Sequence, residues 1–211
     1  MKVLFSFPRT GSSSLFYKIK EEEGHRYSQT WMEPFTHRIP MTERVQNLDK
    51  LIQGNYTLVN THVRQYNSLL YHHKQQFLEH ITSSTLLLRR DINQIVLSWA
   101  RARLKSFSEV DYDSVTIPTR MVENLSVKLK NELLFCFSKQ QRLPENTDLI
   151  WYEDQDWSDA RYQQNPDKQT SITNYAECLA ITQKQLDSFE NQYIKVEQGI
   201  VIKATMSGID K

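Results

Sequence analysis

The chain has 211 residues, of which 39% are hydrophobic and 11% aromatic, enough for one domain with a real core and too few for two ordinary ones. A net charge of +1 with 24% charged residues excludes a global basic field for nucleic acid and an acidic tail, so any anion site has to be built locally. The opening run MKVLFSFPRTG is broken by Ser6 and Pro8, and nowhere do about 18 apolar residues run together, which predicts a cytoplasmic protein without a signal or membrane segment.

In chain order, KVLFSF at residues 2–7 is a short apolar β run, and RTGSSS follows it directly before a helical stretch beginning near Ser13. The segment HRYSQTWMEPFTHRIP has no clean period and carries Pro34 and Pro40, so it reads as an irregular surface excursion of the kind that covers active sites. A helix over 41–53, a break at Gly54 and Asn55, and a strand YTLVNTH ending at His62 come next.

One helix is expected over 64–80 from the spacing of Leu69, Leu70, Phe77 and Leu78, and then STLLLR forms a buried strand. Asp91 stands as N-cap to a helix striped by Ile92, Ile95, Val96, Trp99 and Leu104. A helix over 118–142, a strand in TDLIWYED, a helix over 174–192 and a closing hairpin in YIKVEQGIVIKA complete the series. Cys136 and Cys178 have neither zinc spacing nor the density of a disulfide scaffold, so both are read as reduced packing residues. The alternation predicts a single three-layer α/β domain, a mostly parallel sheet of 4–5 strands flanked by helices, with ligands beyond the carboxyl ends of the strands.

The turn FPRTGSSSL places a glycine at its tightest point, the cation Arg9 before it and Ser12, Ser13 and Ser14 at a helix start. Backbone N–H groups and the helix dipole there bind an anion, and Arg9 can neutralise a charged leaving oxygen. The terminal Gly-Lys-Ser/Thr of a Walker A loop is missing, which argues against magnesium-dependent nucleotide hydrolysis. Taken alone, Gly11 and Ser12 also suit a plain turn and helix cap. In RRDINQIVLSW, Arg90 ends a strand and Ser98 lies eight residues on, about two helical turns along the helix that follows.

With these two motifs the sequence resembles the PAPS-dependent sulfotransferase family, whose donor is 3′-phosphoadenosine 5′-phosphosulfate. The family's 5′-phosphosulfate loop resembles FPRTGSSSL, and its 3′-phosphate motif pairs an Arg with a Ser eight residues later, as Arg90 and Ser98 are paired. The resemblance implies a P-loop-like fold and transfer of the sulfuryl group to an acceptor hydroxyl or amine on a small molecule, carbohydrate or peptide, releasing PAP. Arg9, Thr10, Gly11, Ser12, Ser13 and Ser14 would hold the 5′-phosphosulfate, and Arg90 and Ser98 the 3′-phosphate. Tyr152, in a YED segment of the family type, would lie near the adenine, and Lys168 would add a nucleotide contact. The likeness covers roughly residues 2–100 by motif and the rest by order of elements.

Sulfuryl transfer needs a base for the acceptor proton, and the sequence offers two. His62, in VNTHV, resembles the family's Lys-Thr-His segment, and Glu33, in WMEPF, resembles a Glu-Pro segment that serves as base in other members. Asn60 stands where the family usually has a lysine that assists the leaving group, which leaves Arg9 or Arg64 to supply that charge. His72, His73 and His80 fall on a polar helical face. No metal is expected, since a sulfuryl group carries one negative charge and side chains with backbone dipoles suffice for its transition state. Two other readings stay open, a small kinase-like enzyme and a PAP-binding module without catalysis.

Overall fold

A computed structural model of the chain describes residues 1–107, 114–137, 143–144, 147–159, 161 and 171–197. They fall into two compact units, Met1–Arg90 with Pro144–Pro166, and Asp91–Leu143 with Asp167–Lys211.

The first unit is an α/β layer structure built on five parallel strands: β1 (Lys2–Ser6), β2 (Thr30–Met32), β3 (Leu58–His62), β4 (Ser83–Leu88) and β5 (Thr147–Trp151). Their order across the sheet is β2-β3-β1-β4-β5, which makes β1 the central strand. Val3, Leu4 and Phe5 are all fully buried, as a strand covered on both faces demands. Its register pairs Leu4 with Asn60 and Thr85, and Ser6 with His62 and Leu87. Residues alternate between faces along a strand, so Leu4, Ser6, Asn60, His62 and Leu87 share one face.

Helix α1 (Ser12–Glu22) covers that face by packing Leu15 and Phe16 against Leu4, Leu58 and Leu87. The opposite face meets α3 (Val63–Asn67) and α4 (Tyr71–Glu79) through Phe5, Tyr66 and Phe77, whose rings stand 5.3 Å and 6.0 Å apart in sequence along the cluster. Helix α2 (Met41–Gln53) packs on α4 and buries Leu48 and Leu51. Helices thus flank an all-parallel sheet on both faces, the architecture expected from the βα alternation.

The second unit comprises α5 (Ile92–Phe107), α6 (Thr119–Phe137) and α7 (Tyr175–Glu197), each packed on the other two. Its apolar interior includes Ile95, Val96, Val122, Leu125, Leu129 and Leu186. Asn174 ties its loops: it accepts from the N–H of Ile117 at 2.9 Å and donates to the carbonyl of the same residue at 2.9 Å. Cys178 is buried there as a free thiol, with burial raising its pKa above the ordinary value. The side chain of Cys136 lies outside the described residues.

Three expectations are corrected. The helix over 64–80 is two helices, because the Ser68 hydroxyl donates to the Gln65 carbonyl at 2.6 Å and Leu70 is extended at ψ 155°. The excursion before Pro34 contains β2 and a 3₁₀ turn at Tyr27–Gln29, a three-residue edge strand too short to show alternation. Helix α7 continues to Glu197, through the first half of the expected hairpin, and residues 198–211 lie outside the described part.

Candidate functional site

The carboxyl ends of β1, β2 and β3 bring three sequence candidates together. After Ser6, the chain turns through Phe7–Gly11, where the Thr10 hydroxyl donates to the Phe7 carbonyl at 2.8 Å. Arg9 lies at φ 66° and Gly11 at φ 91°, ψ 14°. Glycine tolerates that region, whereas an L side chain there costs about 1–2 kcal/mol. Gly11 forms the N-cap of α1 with no side-chain hydrogen bond to the first turn, so the N–H groups of Ser12, Ser13 and Ser14 begin a helix without a side-chain acceptor. Ser12 is buried, Ser13 is exposed with its hydroxyl 3.8 Å from the Met32 sulfur, and Ser14 is half-buried.

On the neighbouring strands, the Glu33 N–H donates to the Asn60 carbonyl at 2.7 Å, extending the β2–β3 ladder by one step. Glu33 then turns at φ 55°; among the described residues it and Arg9 are the non-glycine residues with positive φ. The turn brings Glu33 Oε1 to 3.6 Å from His62 Nε2, so the two rival bases of the sequence form one pair. Burial holds the His62 imidazole below its usual pKa; Glu33 pulls it up and the Arg9 cation pushes it down, so all three act on one ring.

Gln65, which the sequence did not single out, joins this pair. It is 4% exposed, donates from Nε2 to Glu33 Oε2 at 2.8 Å, and accepts at Oε1 from the His62 N–H at 3.1 Å. Its spacing three residues after His62 is the capping pattern that marks a helix start, the one sequence signal that pointed to it. Asn60 is completely buried; Ser6 Oγ donates to its Oδ1 at 3.4 Å, and its Nδ2 meets no acceptor among the described residues.

The Arg90 guanidinium forms a fork with Asp154, Nη1 to Oδ1 at 2.6 Å and Nη2 to Oδ2 at 2.8 Å, and the Arg90 backbone N–H donates to Glu153 Oε2 at 3.1 Å. The hydrogen bonds from Arg90 hold the Asp154 carboxyl below its ordinary pKa. A phosphate on Arg90 therefore competes with a carboxylate already in place. Tyr152 stacks on Trp157 with centroids 4.7 Å apart, and the Arg89 guanidinium lies 4.8 Å from its ring, so that ring is already engaged within the unit. Ser98 belongs to α5 of the second unit and is 7% exposed. Lys168 lies outside the described residues. His72 and His80 are exposed and His73 half-buried, with the His72 and His73 rings 3.9 Å apart.

Comparison with protein-family models, with curated proteins and with solved structures returns no match. No described helix is long and apolar enough to cross a membrane.

Proposed function

We propose that this chain is a PAPS-dependent sulfotransferase in which His62 removes the acceptor proton and Glu33 orients and supports the imidazole. The observation that carries the reading is the 3.6 Å approach of His62 Nε2 to Glu33 Oε1 beside the Arg9 loop. A carboxylate at this distance from a histidine steadies the imidazolium as the proton arrives. The start of α1, which has no side-chain cap, together with Arg9 supplies donors and charge for the phosphosulfate. The sulfuryl group passes from the phosphosulfate oxygen to the acceptor oxygen or nitrogen as that atom loses its proton to His62, and PAP leaves with the S–O bonding pair.

The buried donor Nδ2 of Asn60 stands where the resembled family carries a lysine, so charge on the leaving oxygen falls to Arg9. A free, buried thiol at Cys178 suits a cytoplasmic enzyme. Arg90 takes the 3′-phosphate once Asp154 yields it.

The test is calorimetric titration of PAP and ATP into the wild type, Arg9→Ala and Arg90→Ala at fixed salt, followed by turnover of PAPS over a panel of phenols, sugars and peptides. Selective PAP binding that weakens roughly 10- to 100-fold in each variant supports the reading. No PAP binding, or preference for ATP, overturns it. PAP binding with no turnover on any acceptor would reassign the chain as a nucleotide-binding module.

A further inference from the structure

Gln65 is buried and polar, and the bonds of its side chain end on a member of the His62–Glu33 pair or on the strand that carries His62. Its Oε1 accepts from the His62 N–H at 3.1 Å and from the Thr61 hydroxyl at 3.3 Å. The His62 N–H can only donate and the ionised Glu33 carboxylate only accept, which fixes the orientation of the amide: oxygen toward β3 and nitrogen toward Glu33. Nε2 then donates to Glu33 Oε2 at 2.8 Å, while the other oxygen of the same carboxylate faces His62.

Glu33 needs such a hold. It follows the edge strand β2, its backbone sits at φ 55°, and its side chain is 35% exposed, so without a tether the carboxylate gains by turning to water. We propose that Gln65 is a positioning residue that locks the Glu33 carboxylate against His62 and thereby sets the charge environment of the proposed base. This rests on the assignment of His62 as base only for its catalytic meaning; the lock itself is a property of the resting protein.

The charged groups acting on His62 are Glu33, which follows β2, and Arg9, which follows β1. Removing the Gln65 donor lets Glu33 swing away and weakens its raising influence on the ring, so the His62 midpoint falls. Replacing Gln65 by glutamate sets two carboxyls at hydrogen-bond distance, where one keeps its proton and donates it to the other, so the bridge to Glu33 is retained with no added charge. The first substitution therefore lowers the His62 midpoint and the second leaves it near the wild-type value.

The experiment is NMR titration of the His62 imidazole in the wild type, Glu33→Gln, Gln65→Met and Gln65→Glu, without donor or acceptor. Gln65→Met is expected to lower the midpoint in the same sense as Glu33→Gln, by up to roughly one pH unit, and Gln65→Glu to keep it near the wild-type value. If His62 titrates in Gln65→Met as in the wild type, or falls as far in Gln65→Glu as in Gln65→Met, the proposal is overturned. Should Gln65→Met fail to fold, Gln65→Asn, whose amide is one methylene short of Glu33, takes its place and is expected to lower the midpoint likewise. No transfer chemistry enters the readout, so a failed sulfotransferase assay leaves this result standing, and the reverse also holds.

Discussion

His62 is held by opposing influences, and their signs fix its pH behaviour. Burial dominates and favours the neutral ring, so the folded-state pKa lies below the ordinary value of about 6.5. The neutral form is the one that accepts a proton, so the acidic limb of kcat/KM is expected to fall below pH 6.5. Glu33→Gln should move that limb lower and Arg9→Ala higher, since one removes a raising influence and the other a lowering one. The same linkage makes stability rise with pH between the folded midpoint and 6.5: the contribution is complete above 6.5 and lost as pH falls through the folded value. Urea unfolding at several pH values checks this, and a flat profile across that window would contradict it. Arg90 gives a second prediction at this scale. Asp154→Asn weakens the fork that occupies the guanidinium, so PAP is expected to bind several-fold tighter to the variant, measured by the same calorimetry. Unchanged affinity would mean that Arg90 does not meet the nucleotide.

Among the elements, the junction between α2 and β3 depends on one small residue. Gly54 has an ordinary φ, but a Cβ there would stand 2.6 Å from the Lys50 carbonyl and 2.7 Å from the Tyr56 ring. The carbonyl is backbone and cannot step aside, so Gly54→Ala is expected to cost about 1–3 kcal/mol and to lower Tm by several degrees in calorimetry. The sequence displayed Gly54 as a break, and most element boundaries were equally legible: α2 spans Met41–Gln53 as its period predicts, and β3 ends at His62. Those signals are local. What stayed hidden depends on partners distant in the chain. β2 is a strand because Trp31 registers with Val59, and three residues alone carry no alternation. The Glu33–His62 pair was likewise invisible, since 29 positions separate two residues that adjacent strands place side by side. Sequence reasoning therefore set as rivals two groups that the sheet order makes partners.

At the level of the whole molecule, the first unit is discontinuous: β5 comes from the far side of residues 91–143 yet pairs along β4 from Ser84 to Leu88. The Ser84 and Thr147 hydroxyls meet across that seam at 2.7 Å. A fragment ending at residue 90 would leave β4 as an open edge with Leu86, Leu87 and Leu88, which are buried in the full chain. The fragment is expected to aggregate, and a peptide of residues 144–159 supplied in excess to delay the onset, followed by light scattering. A soluble, cooperatively folding fragment 1–90 would show that β5 is dispensable.

The left-handed backbone at Arg9 and Glu33 has an evolutionary reading. Glycine relieves the steric cost at either position, so a library of variants screened for heat tolerance alone should enrich Arg9→Gly and Glu33→Gly, while the same library screened for turnover should purge them. The two selections would pull apart at these two codons, and such a divergence would mark positions where durability is exchanged for the proposed reactivity.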